Sequence, residues 1–190
     1  MSLSFVPVLA FGVSVVAQAQ TPLRPVTLQP PAGGGNPIVI NAAGVEQDPA
    51  PIAARWNADD QCLGDIACFV ASWIEANTAG DLEHLTILRA PEERAELERR
   101  FKDPVLMSRN ASRFKQIRSW SLAGWIDYGT FRFVMLTKDD PLPSTSPIYT
   151  LPLKKTGARW GQTDALATDT GLYQIIDRVA KEVADRHRKK

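Results

Sequence analysis

The sequence predicts an α+β domain: N-terminal helices packed on a curved four-stranded antiparallel sheet, with a C-terminal helix. Three observations carry this. Residues 119–164 contain four short runs rich in β-branched and aromatic residues, divided by turn residues. Apolar residues recur at helical spacing through residues 66–117, ahead of those runs. A further amphipathic stripe follows them, over residues 172–183. The middle region has too few residues for a second sheet, so helices must cover the first.

From the N-terminus, residues 1–19 read as a secretory signal peptide. Residues 5–16 are mostly apolar, and Ala17-Gln18-Ala19 fits a small-x-small cleavage site near Ala19. The leader carries no Lys or Arg, so either the amino terminus is its only positive charge or the natural start lies upstream. The apolar run is too short for a stable membrane anchor. No Cys follows it, so a lipoprotein anchor is not expected. Residues 20–60 are rich in Pro, Gly and Ala, including Pro30-Pro31 and Gly33-Gly34-Gly35, and read as a flexible linker. Within it, Pro37-Ile38-Val39-Ile40 is an apolar island, either an added strand or a sticky piece of linker.

The folded domain is placed at residues 61–186. Ile66, Phe69, Val70, Trp73 and Ile74 share one face of a first helix, with Asp65 as N-cap and Gly80 as stop. Asp81 caps a short second helix carrying Leu82, Leu85 and Leu88. Pro91-Glu92-Glu93 opens a third, with Pro and acids suited to the first turn. Asp103-Pro104 opens a fourth, with Met107, Ala111, Phe114 and Ile117 on one side. The four strands follow at residues 120–127, 130–136, 148–153 and 159–163. Pro152 lacks an amide donor, which marks the third as an edge or bulged strand. Leu172, Ile175, Ile176, Val179 and Val183 form the stripe of the last helix, and residues 187–190 are a basic tail.

Lys and Arg number 22 against 21 Asp and Glu, so no basic excess points to nucleic acid or an anionic membrane. Cys62 and Cys68 are close in sequence, and in an exported chain they are expected to form a disulfide. Two Cys with the distant His84 and His187 do not make a zinc site, and neither Asp59-Asp60 nor Asp139-Asp140 has the ligand spacing of a calcium loop. No metal or cofactor is expected. There is no Gly-x-Ser-x-Gly elbow and no phosphate-binding glycine loop between strand and helix.

The stretch Phe69-Val-Ala-Ser-Trp-Ile-Glu-Ala-Asn-Thr-Ala-Gly80-Asp81-Leu82 resembles the opening of an NTF2-like (cystatin-like roll) domain of exported bacterial type. Leu153-Lys-Lys-Thr-Gly157-Ala-Arg-Trp160-Gly-Gln-Thr163 is similar to the late hairpin of such domains. The long helical stretch before the strands and the extra C-terminal helix depart from the pattern. The resemblance implies a curved sheet wrapping helices, often around an apolar cavity, in a superfamily of isomerases, dehydratases and non-catalytic binding domains.

An isomerase-like site needs a carboxylate base in an apolar cavity and a donor for the developing oxyanion. The candidates are Asp127 and Tyr128, with Tyr149 as a further donor. The plain alternative is turn chemistry at Asp127-Tyr128-Gly129. His84 is the one histidine inside the predicted domain, with acidic neighbours that suit a surface position. Trp125, Tyr149 and Trp160 are candidates to line a ligand pocket. The leading expectation is a non-catalytic binding or interaction domain, periplasmic or secreted. Its partner would be a small apolar ligand or an envelope protein, with a homodimer through an open sheet face also possible. A small enzyme with a cavity carboxylate and a structural subunit of an envelope complex are the alternatives.

Overall fold

The computed structural model describes residues 20–22, 26–28, 38–40, 43–141 and 148–188, so the expected leader at 1–19 lies outside the described residues. The domain is α+β. Its strands are β1 (Gln20–Pro22), β2 (Val26–Leu28), β3 (Ile38–Ile40), β4 (Ala43–Ile52), β5 (Ser119–Tyr128), β6 (Phe131–Asp139), β7 (Ile148–Thr156) and β8 (Arg159–Gln162). Its helices are α1 (Asp60–Gly64), α2 (Ile66–Ala79), α3 (Leu82–Ile87), α4 (Arg94–Phe101), α5 (Pro104–Lys115) and α6 (Thr170–Arg188), with a 3-10 turn at Pro91–Glu93.

Six strands form one antiparallel sheet in the order β1-β4-β5-β6-β7-β8. The four expected strands are β5 to β8, a meander of neighbours. The other two come from the stretch expected to be a flexible linker, which corrects that expectation for these segments. β4 runs beside β5 from Ala43↔Asp127 to Ile52↔Trp120. Pro49 and Pro51 lie past the short pairing with β1, which reaches only Val45 to Gln47, so a missing amide donor there costs little. The β4–β5 register shifts between Glu46 and Ala50. There the buried Gln47 side chain donates from Nε2 to the Leu122 carbonyl, 3.2 Å, and replaces a lost ladder bond. The apolar island at Ile38–Ile40 pairs with β2 in a separate two-stranded sheet.

Alternation along the strands divides the core in two. Trp120, Leu122, Val134, Leu136, Leu151, Leu153 and Trp160 face the helices α1 to α5. Ala123, Ile126, Phe133, Met135 and Ile148 face the opposite way, where α6 lays down Leu172, Ile175, Ile176, Val179 and Val183. Over this patch the second face is covered by the chain's own last helix. Arg186 near the end of α6 pairs with Glu46 of β4, Nη2 to Oε2 2.7 Å, and the pair holds the guanidinium above its ordinary pKa.

Aspartates start five of the helices. Asp59, Asp65, Asp81, Asp103 and Asp169 each accept a hydrogen bond from a backbone N–H two or three residues on. Gly80 ends α2 at φ 71, a left-handed position that suits glycine. Cys62 and Cys68 are disulfide-bonded and tie α1 to the first turn of α2. β7 lies between β6 and β8, so Pro152 does not mark an edge. Its carbonyl accepts from Thr163 N beyond the last β8 pair, Leu153↔Gln162, so the missing donor falls where the ladder stops. The β8 edge is closed by residues 88–90: Gln162 N donates to Leu88 O, and Ala90 N donates to Gln162 O.

Candidate functional site

The space between the sheet and α1–α5 is filled by aromatic rings. Trp73 of α2 meets Phe114 of α5 at 5.1 Å between ring centroids, Trp120 of β5 at 6.0 Å and Tyr149 of β7 at 5.3 Å. Trp120 meets Phe114 at 5.7 Å and Tyr149 at 5.8 Å. Trp73 Nε1 donates to Gln162 Oε1, 3.0 Å, which satisfies the one polar atom of a ring that is 1% exposed. Tyr149 thus belongs to the packed interior. Burial first, then the nearby Asp164 charge, push its phenol up to about 12 from 10.0.

Trp125 and Trp160 do come together, but around a side chain rather than a hollow. The Arg132 guanidinium lies 4.9 Å from the Trp125 ring and 4.8 Å from the Trp160 ring. Arg132 is the cross-strand partner of Asp127 and grips it with two hydrogen bonds, Nε to Oδ1 2.6 Å and Nη2 to Oδ2 2.8 Å. Lys155 adds a second cation 5.4 Å from the Trp160 ring. This stack closes the turn end of the sheet. Asp127 is engaged by Arg132, and a carboxylate so held is a poor match for a base waiting in an apolar cavity. Tyr128 is exposed at the end of β5, and alternation sends it to the face opposite Asp127. The two expected partners are not brought together.

His84 stacks on Trp56 at 3.5 Å between centroids and 9° between planes, and its Nδ1 lies 3.1 Å from Asp81 Oδ2. The stack fastens the segment after β4 to α3.

Sequence reasoning missed a second polar knot. Arg89, 7% exposed at its side chain, pairs with Glu93, 2.9 Å, and with Asp164. Thr163 donates its hydroxyl to Glu93, and Asp164 N donates to Glu93 Oε2, 2.9 Å. The knot binds the 3-10 turn to the end of β8. Its buried Arg89 Nε has no partner among the described residues.

An open recess lies elsewhere. A groove of about 460 Å³ runs between the end of α2, the start of α3, the end of α4 and one face of α5. Leu82, Phe101, Met107 and Ala111 supply apolar surface and Lys102, Ser108, Ser112 and Lys115 polar groups, in about equal measure. On α5, Met107, Ser108, Ala111, Ser112 and Lys115 follow the i, i+3, i+4 rhythm of a single stripe. Asn110 Nδ2 donates to Asn77 Oδ1, 2.9 Å, and Asn77 donates to the Trp73 carbonyl, 2.8 Å, which fixes α5 against α2 beside the groove. Gly80 lets the helices approach: a Cβ there would stand 3.1 Å from the Ala111 Cβ. The signal in the sequence was the small-residue stripe beside the core stripe of α5.

Among the described residues no cluster of three or more His, Cys, Asp or Glu suits a metal ion, and no helix is long and apolar enough to cross a membrane. Comparison with family models, with curated proteins and with solved structures gives no match for this chain.

Proposed function

We propose that this chain is an exported, non-catalytic binding domain of NTF2-like character, and that its ligand enters the groove between α2, α4 and α5. The observation that carries the reading is a contrast. The interior between sheet and helices, where the resemblance implies a cavity, is packed with Trp73, Phe114, Trp120 and Tyr149, while the groove is open. Its size lies within the range of about 300–1,000 Å³ usual for ligand sites. Export is supported by the leader pattern and by the Cys62–Cys68 disulfide, which suits an oxidising compartment. The NTF2-like assignment is supported by the order of helices followed by an antiparallel meander, to which this chain adds β4 and α6.

The test is a screen of small soluble compounds by 1H–15N chemical-shift mapping on the folded protein. Hits should cluster on amides of α2, α4 and α5 around Gly80, Met107 and Ala111. Hits that instead shift Trp73 and Tyr149, or a library that shifts nothing, would overturn the reading.

A further inference from the structure

We infer that the groove selects a small amphipathic anion, a carboxylate carried on an alkyl chain; the inference rests on the proposed binding role and names its ligand class. The argument is charge complementarity beside the apolar part of the lining. Lys102 and Lys115 stand at the groove from different helices, α4's end and α5's end, and no Asp or Glu lines it. Among the described residues neither lysine has an ion-pair partner; Lys138, Lys154 and Lys181 are ion-paired and Lys155 lies over the Trp160 ring. Ser108 and Ser112 lie one turn apart on α5 and present hydroxyl donors along the same wall. Val105, seven residues before Ser112 and 60% exposed, extends the apolar surface past the groove's edge. A single alkyl chain fits such a surface, with its head group among the lysines and hydroxyls. A cationic head would meet two like charges, and a neutral head would leave both lysines without partners.

Three probes with the same chain separate these cases: decanoate, decanol and decyltrimethylammonium, each titrated into 15N-labelled protein below its micellar concentration. Decanoate should shift Gly80, Met107 and Ala111 and bind about tenfold or more tightly than decanol, the scale expected of two partly exposed charge pairs. Both lysines are exposed, so Lys102→Gln with Lys115→Gln removes the charges with little strain on the fold and should abolish that preference. Ser108→Trp fills the groove and should abolish the shifts for every probe. Equal binding of all three probes would overturn the anion inference and leave the binding role standing. Absence of shifts with any probe, or shifts confined to other regions, would overturn both.

Discussion

Gly124 offers the sharpest physical test of the sheet. It sits at φ 147 in β5, where the register with β6 shifts between Leu122 and Gly124. A Cβ added there would fall 2.1 Å from the Val45 carbonyl oxygen and 3.1 Å from Glu46 Cα, both backbone atoms of β4. Gly124→Ala therefore combines a strained backbone, about 1–3 kcal/mol, with a clash that the neighbour strand can relieve only by moving, about 1–3 kcal/mol more. The expected loss is roughly 2–6 kcal/mol, a large share of a typical domain stability of about 5–15 kcal/mol. Gly129 supplies the control. It has φ 59, and a Cβ there would meet nothing within 4 Å. Gly129→Ala should cost only the backbone term, about 1–2 kcal/mol. Urea unfolding of the two variants, read by tryptophan fluorescence, measures the difference directly. Equal losses, or a Gly124→Ala loss below about 0.5 kcal/mol, would refute the close pairing of β4 with β5.

Three further outcomes follow from the packing. The Tyr149 phenol is raised to about 12 in the fold, so the folded state holds its proton longer than the unfolded chain, whose value is near 10.0. Its stabilising contribution is complete below pH 10 and is lost as pH rises towards 12, at up to roughly 1 kcal/mol per pH unit; urea midpoints at pH 9 and 11 should converge in Tyr149→Phe. Cys62 and Cys68 close a short loop, and Cys68→Ser with Cys62→Ser should cost about 2 kcal/mol by chain entropy, visible as a lower thermal midpoint than the oxidised parent. Asp127→Asn keeps the shape of the carboxylate but removes its charge from Arg132, and should lower stability by about 1 kcal/mol with the effect shrinking in high salt.

The four strands β5 to β8 were legible because Trp, Tyr, Ile and Val alternate between glycine and proline turns. α2, α3 and α5 were legible from their aspartate caps and the disulfide from two nearby cysteines, whereas α1 was not foreseen and the helix expected from Pro91 begins as a 3-10 turn before α4. β4 was not. Ala43–Ile52 contains a glycine, two acids and two prolines, and its strand conformation comes from partners 75 residues away, such as Gln47 with Leu122. Local propensity cannot report a ladder that tertiary pairing supplies. The stripe of α6 was legible, but which sheet face it covers depends on the parity of Phe133 and Met135, which only the pairing of β6 fixes. Among site residues, strand parity put Asp127 on the same face as Trp125, while Trp160 was singled out only as a separate pocket candidate. Their link, Arg132, was missed because it reads as an ordinary strand residue until Asp127 stands opposite. The groove was invisible for another reason. Lys102, Ser108, Ser112 and Lys115 read as a solvated helix face, and only the approach of Gly80 to Ala111 turns that face into a recess.

The central claim is that this domain holds a small ligand in the groove between α2, α4 and α5. Native mass spectrometry of the protein, purified gently from its own cells and their medium, tests it most directly. The account predicts a small bound mass on the chain that is absent from Ser108→Trp prepared in the same way. A chain that carries no small molecule, or one whose bound mass survives Ser108→Trp unchanged, would contradict it.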